Sequence, residues 1–237
     1  MDIGRAFVYM FDDDQWVKKL AIGGLLVLAS IIPIVNLFTG LVVTGYTVRI
    51  IRNVAEGRSL PLPEWDDWGG DWMRGLLVVV AAFLYSLPIL FASGFGAILD
   101  TLTRNTEAMQ VAQVCFGLIS CLSSIWGLVV AVVLPAATIR FAMEEEFASF
   151  FRFRNIFRLI GDNLGNYVIA VLLGIVAQII AAFGLILCVV GVFFTGFWAS
   201  LVSSHLYGQV AAEGGIRPTS PPSTGGFVGT YESPEQL

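Results

Sequence analysis

The sequence predicts an all-α integral membrane protein: about six transmembrane helices paired as three hairpins, with two or three amphipathic interfacial helices on the cytoplasmic side. Three observations carry this. The chain is 57% hydrophobic and only 13% charged, about half the charged share of a typical soluble domain, and its mean hydropathy is +0.80. Several stretches long enough to cross a bilayer, such as Leu20 to Val48 and Val111 to Ile139, contain no charge, and a span needs roughly 20 apolar residues. The basic residues also cluster lopsidedly between those stretches, as residues held on the cytoplasmic side do.

Residues 2–16 read as an amphipathic helix on the membrane, with Ile3, Phe7, Met10 and Phe11 on one face; a frayed terminus is the alternative. Asp12-Asp13-Asp14 suits the N-terminus of the helix that follows. The next apolar run is long for one helix and short for two, and Pro33 to Asn36 breaks it. A single crossing would separate Arg5, Lys18 and Lys19 from Arg49, Arg52 and Arg58. The reading taken is a tight hairpin, 20–34 and 37–55, that returns to its starting side without necessarily crossing fully.

The polar interval Gly45 to Gly75 fixes the orientation. Within it Trp65, Trp68 and Trp72 recur at i, i+3 and i+7, the spacing of one helix face. This predicts a short interfacial helix over 64–74, introduced by Leu60-Pro61-Leu62-Pro63, with indoles at headgroup level and Glu64, Asp66, Asp67 and Asp71 solvated on its other faces. The competing reading is a cation site built from those four carboxylates.

Several segments of this region resemble a known family. They are Gly45-Tyr46, Arg49, Arg52-Asn53, Gly57 and Leu62-Pro63-Glu64-Trp65-Asp66-Asp67; Phe11 through Lys19 with Gly23-Gly24; and Pro135-Ala136-Ala137 leading into Phe150 to Phe157. Together they resemble the bacterial and archaeal membrane-protein family called domain of unknown function 4013, over about residues 1–213. The resemblance implies a membrane topology and no activity.

Two spans follow, 76–99 with Pro88 as a kink and 111–139, joined by a polar loop holding Asp100, Arg104 and Glu107. Residues 144–160 read as another interfacial helix. Phe150, Phe153, Ile156, Phe157 and Ile160 form its apolar stripe, and Arg152, Arg154 and Arg158 are placed for anionic lipid headgroups. Packing beneath the bundle is the alternative. A last hairpin, 167–187 and 192–212, turns at Cys188 to Gly191. Its Val192-Phe193-Phe194-Thr195-Gly196 echoes Leu37-Phe38-Thr39-Gly40 of the first hairpin, against chance similarity between apolar runs. Residues 1–213 form the membrane domain; 214–237, rich in Pro, Gly, Ser and Thr, should be a disordered cytoplasmic tail.

On this topology Arg5, Lys18, Lys19, Arg49, Arg52, Arg58, Arg74, Arg140, Arg152, Arg154, Arg158 and Arg217 share one side and only Arg104 lies opposite. Both termini are therefore expected in the cytoplasm of a prokaryotic cell bounded by its inner membrane.

Candidate functional residues are few. The interface anchors are Trp16, Trp65, Trp68, Trp72, Phe150, Phe153 and Phe157. Asn36, Gln178 and His205 are the intramembrane polar candidates, with Ser86, Ser120, Ser123 and Ser124 as further hydroxyls. Such groups usually bond across helices, and glycines such as Gly40, Gly45, Gly174, Gly184, Gly191 and Gly196 would admit close helix contact. Cys115, Cys121 and Cys188 read as small buried hydrophobes. His205 is the sole histidine, which leaves packing or a proton relay. No GxSxG, HExxH or phosphate loop occurs, so no enzyme activity, cofactor or metal is expected. A pI near 4.8 disfavours a nucleic-acid partner. The expected partners are the lipid bilayer, anionic headgroups, and a second copy or a membrane complex. The leading function is a scaffold, assembly or membrane-organising subunit. A transporter or channel for an uncharged or lipid-like substrate is second, requiring a cavity lined by Asn36, Gln178 or the serines. A lipid-acting enzyme is third, requiring Asp66, Asp67, Asp71 and His205 to converge.

Overall fold

A computed structural model describes residues 1–103, 109–187 and 190–218. Those residues are helical, without strands. The helices are α1 (Ile3–Val8), α2 (Trp16–Ala29), α3 (Pro33–Ala55), α4 (Trp68–Thr103), α5 (Met109–Glu144), α6 (Phe153–Asp162), α7 (Leu164–Ala182) and α8 (Gly191–Glu213). Single 3-10 turns cover Tyr9–Asp12, Phe147–Phe151 and Phe183–Leu187.

Among the described residues four helices are long and apolar enough to cross a membrane: α3, α4, α5 from Gln113, and α7 extended to Ile186. α2 is too short, at 14 residues or about 21 Å. α8 has 23 residues but is too polar to qualify. The reason lies in its position. It packs against α7, α3 and α2, and buries Phe197, Leu201, Val202, Ser204, His205, Leu206 and Val210. A central helix needs no continuous lipid-facing surface, so hydroxyls and an imidazole are tolerated there.

The chain turns at Ser30–Ile32, where Ser30 Oγ accepts or donates at 2.8 Å to Thr39 Oγ1. Pro33 opens α3 at a position where its missing N–H costs nothing. α3 then crosses α4 at two glycines: a Cβ on Gly45 would lie 1.8 Å from the Asp71 carbonyl oxygen, and one on Gly75 1.8 Å from that of Leu41. Gly208 likewise brings α8 onto Ile51 and Val54 of α3. Gly23 and Gly24 of α2 receive the rings of Phe197 and Phe194. These pairings make α8 antiparallel to α2 and parallel to α3. Among the glycines expected at close contacts, Gly174 faces Ser203 and Gly184 faces Thr195, but Gly196 has nothing within 4 Å.

α4 and α5 are 36 residues each, about 54 Å, and run through Pro88 and Pro135. Beyond the α3–α4 crossing their outer halves stand away from the bundle, with Phe91, Phe95, Leu118 and Leu122 exposed: 6% of the apolar window of α5 is buried, against 44% for α3. Buried side chains gather at the opposite, polar end, among them Tyr46, Ile50, Ile139, Met143, Ile156 and Leu206.

Several expectations are corrected. No separate helix covers 64–74: residues 60–67 form a loop, and α4 runs unbroken from Trp68. Two prolines disfavour helix before residue 64, and Asp67 Oδ1 accepts the Gly70 N–H at 3.0 Å, a cap that starts the helix at Trp68, four residues late. Residues 2–16 are α1 plus a 3-10 turn, docked on α8 through Tyr9 and Phe7. The 144–160 segment is split: α5 continues to Glu144, a 3-10 turn follows, and α6 starts at Phe153. Cys115 and Cys121 are exposed on α5, because none of the described residues covers the outer side of that arm. Arg104, Glu107, Cys188 and residues 219–237 of the tail lie outside the described residues.

Candidate functional site

The polar end of the bundle is an ionic lattice built from the loop after α3. Arg49 of α3 donates to Asp66 at 3.0 Å, to the Glu64 carbonyl at 2.7 Å and to Asp71 at 2.8 Å. Asp71, only 1% exposed, accepts on its other oxygen from Arg74 at 3.0 Å. Arg74 also bonds Asp67 at 3.0 Å and reaches Glu145 at 3.4 Å. Glu145 is shared with Arg52, at 3.1 Å, and Arg52 and Arg58 hold Glu56. On the far flank Lys19 of α2 pairs with Asp13 and Glu64, both at 2.6 Å, and donates to the Leu62 carbonyl. Charge from α2, α3, the loop, α4 and the end of α5 is thus joined in one connected set.

The loop is threaded by side chains of its neighbours. Tyr46 Oη donates to the Pro63 carbonyl at 2.8 Å and Asn53 Nδ2 to that of Pro61 at 2.9 Å. Trp65 stacks on Tyr46 with centroids 3.9 Å apart and donates its indole N–H to the Lys19 carbonyl. Proline-flanked carbonyls have no helical donor, so these side chains satisfy them. Glu145 sits at φ 51°, a left-handed conformation unusual for glutamate. It ends α5 and turns its carboxylate back between Arg52 and Arg74.

Burial alone would raise the Asp13 carboxyl, but hydrogen bonds from Lys19 and the Gln15 N–H outweigh it and hold the group below the usual aspartate range. Glu56 and Asp66 behave alike: desolvation raises them, and Arg52 with Arg58, or Arg49, brings them net lower. The four carboxylates expected in solvent are each spoken for by a cation. This is a structural lattice rather than an open cation site, and it corrects the reading of Asp71 and Asp67 as solvated.

The predicted site residues scatter. Trp65 and Trp72 do not point outward together: Trp65 is inside the lattice, and Trp72 donates to the Leu37 carbonyl at 3.0 Å. Trp68 packs by Trp65 and stays partly exposed, and Trp16 meets Phe11 edge-on at 4.8 Å. Phe150 is fully buried against Phe141 at 4.7 Å, with its carbonyl bonded by Tyr85, so it is no interface anchor; the turn at Glu145 folds it back onto α5. Phe153 and Phe157 remain exposed on α6, while Ile156 is buried. Arg152 is engaged by Glu144 and Glu146; Arg154 and Arg158 make no ion pair among the described residues. His205 is buried, stacked on Tyr9 at 4.3 Å, with Nδ1 2.9 Å from Gln209 Nε2. No contact joins it to Asp66, Asp67 or Asp71 among the described residues. Asn36 is exposed near the tip of the first hairpin and Gln178 on the outer side of α7, far from any shared site. Ser120 and Ser123 do line a cleft of about 610 Å³ between α4 and α5. Sequence reasoning missed the lattice partners Arg52, Arg74 and Glu145. The sole signal for them was the excess of charge flanking the loop.

The chain is 27% identical over 160 residues to an uncharacterized protein of Methanocaldococcus jannaschii, covering 65% of this chain and 53% of that protein. It therefore spans about half the length of the curated relative it matches. No solved structure matches it. A family model described as protein of unknown function (DUF4013) matches residues 26–190, which include Leu62 to Trp65 and Pro135 to Ala137 but not the Phe11 to Gly24 segment, and the chain belongs to that family.

Proposed function

We propose that this chain is a non-enzymatic scaffold or membrane-organising subunit of a prokaryotic cytoplasmic membrane. In this reading α2–α3, α4–α5 and α7–α8 are three hairpins making six passes, with the lattice and both termini on the cytoplasmic side. The first hairpin, about 21 Å along α2, acts as a short wedge tipped by exposed Ile31, Ile32 and Ile34. α6 lies at the interface with Phe153 and Phe157 toward lipid and Arg154 and Arg158 toward anionic headgroups.

One observation carries the reading. The lattice charges are committed to one another and weld the α2–α3 and α4–α5 hairpins at the polar end, leaving apolar arms such as α5 almost wholly uncovered. Rigid clamping with large free apolar faces suits assembly with lipid or other helices better than turnover. The enzyme alternative loses support because His205 contacts Tyr9 and Gln209 and none of the loop carboxylates.

The test is the mass of the protein extracted in mild detergent, with partner identification, beside solute-flux measurements in proteoliposomes. A defined oligomer or a stoichiometric complex, and no flux, is expected. A single copy that conducts an uncharged solute would replace this reading with transport.

A further inference from the structure

We propose that the cavity between α1, the turn after α3 and α8 binds a small solute through its carboxylate, with the His205 Nε2–H and the Arg5 guanidinium as donors. The cavity lies at the polar end, its wall includes Asp2, Arg5, Arg58, Ser59, His205 and Gln209, and its volume is about 260 Å³. That is room for about eight waters at about 30 Å³ each, and less than the roughly 300–1,000 Å³ of pockets for drug-sized ligands. The ligand is therefore small.

The proton on His205 is placed by its neighbours. Gln209 Oε1 accepts the Asp2 N–H at 2.6 Å, and Gln209 Nε2 donates to the Asp2 carbonyl at 2.9 Å. Only an oxygen can accept that backbone N–H, so the orientation of the Gln209 amide is fixed. Its second N–H meets His205 Nδ1 at 2.9 Å. Nδ1 must accept there, and a neutral imidazole with Nδ1 as acceptor carries its proton on Nε2. Tyr9, anchored by its hydroxyl on the Leu201 carbonyl at 3.2 Å, stacks on the ring at 4.3 Å and holds its plane. His205 is only 4% exposed. Its Nε2 has no hydrogen-bond partner among the described residues and is not sealed within the fold, which leaves the cavity as the space it opens on. A buried N–H without an acceptor is costly, so an acceptor belongs at that point.

The charges choose between acceptors. Arg5 makes no ion pair among the described residues, whereas Arg58 gives Nε and Nη2 to Glu56 at 2.9 and 2.7 Å. Two guanidinium groups on the wall disfavour a metal cation. Asp2 is on the wall too, and Glu56 offsets Arg58, so the positive charge left over suits one negative charge better than the two of a phosphate monoester. A carboxylate fits: its two oxygens match the flat fork of an arginine, and one has a further lone pair for the imidazole N–H. Gly57 is left-handed at φ 73°, with nothing within 4 Å of a Cβ built there. Together with exposed Ser59 and Arg5 it leaves the mouth open on the side of the lattice. The inference stands apart from the scaffold role.

The test is nuclear magnetic resonance of the full chain in detergent micelles, without a histidine tag and with isotopically labelled histidine, since His205 is the sole histidine. At neutral pH the imidazole should show its proton on Nε2. Sodium acetate should move that signal saturably, and sodium chloride at equal ionic strength should not. Arg5→Gln should weaken acetate about ten-fold, near the low end for a hydrogen bond to a charged group. Asp2→Asn keeps the oxygen that accepts the Arg5 N–H and should tighten acetate about two-fold, the scale of an exposed charge pair. Both positions are exposed, so the two variants should fold. A proton on Nδ1 would overturn the donor assignment. A signal that acetate moves no more than chloride does would mean that water alone fills the cavity, and would remove the site. Tighter binding of inorganic phosphate than of acetate would overturn the choice of a carboxylate. Equal acetate affinity in the parent and both variants would place the anion elsewhere.

Discussion

Replacing Asp71 by Asn leaves the shape of the lattice and removes its central charge. Asp71 is 1% exposed and its two oxygens separate the Arg49 and Arg74 guanidinium groups, at 2.8 and 3.0 Å. Breaking a buried pair from one side costs about 3–5 kcal/mol, because the remaining charge is left uncompensated. Here each arginine keeps another partner, Asp66 for Arg49 and Asp67 with Glu145 for Arg74. The expected loss is therefore near the lower edge, about 3 kcal/mol, or roughly 100-fold in the folding equilibrium. Asp66→Asn is the control. Its side chain is 70% exposed, and exposed pairs contribute about 1 kcal/mol or less. Denaturant titration of the purified protein in mild detergent reads both. A cycle with Arg49→Gln should give a coupling of about 1 kcal/mol or more between Arg49 and Asp71. If Asp71→Asn costs no more than Asp66→Asn, the lattice does not hold the hairpins together and the clamp argument fails.

Other outcomes follow from the same end of the molecule. Gly45→Ala should abolish folding or lower the melting temperature sharply, since its Cβ would meet the Asp71 carbonyl at 1.8 Å; Gly69→Ala, with nothing within 4 Å, should be neutral or gain up to about 1 kcal/mol, and equal behaviour of the two would refute the close α3–α4 crossing. Glu145→Gly relaxes a strained backbone worth about 1–3 kcal/mol but strands Arg52 and Arg74, so it should still destabilise; a variant more stable than the parent would make strain, not pairing, the dominant effect at that turn. The Asp13, Glu56 and Asp66 carboxyls are lower in the folded chain, so the unfolded chain binds protons first as pH falls. Their contribution is whole above the ordinary carboxylate values of 3.8 and 4.5 and is lost as pH drops through the lower folded values. Melting temperature should fall as pH drops below about 4, and less so in Asp13→Asn; a fall of the same size in Asp13→Asn would contradict the assignment of that loss to the Lys19 pair.

The long helices were legible because apolar length is a one-dimensional signal. α3, α4, α5 and α7 each follow from an uncharged run, and the break at Pro33 follows from proline chemistry. α8 shows the limit of that signal. The same hydropathy that marks lipid contact is weak in the helix with least need of it, and only adjacency to α2, α3 and α7 explains its serines and His205. The lattice was hidden for another reason. Arg49 and Asp71, or Arg74 and Glu145, are distant in sequence, and nothing local distinguishes a paired carboxylate from a solvated one. The Trp65, Trp68, Trp72 spacing misled because helical periodicity means something only if the segment is helical. Pro61, Pro63 and the Asp67 cap put Trp65 outside the helix and free it to stack on Tyr46. Phe150 looked like part of a membrane stripe until the left-handed Glu145 turned the chain back against Phe141.

The most direct measurement is the sidedness of the loop between α3 and α4. A single cysteine at exposed Ser59, in a chain with Cys115, Cys121 and Cys188 replaced by alanine, is treated with a membrane-impermeant maleimide in intact and in opened cells. The lattice end should react only after the cells are opened. Full reaction in intact cells would put Arg49, Arg52, Arg58 and Arg74 outside and contradict the topology from which every proposed role is drawn.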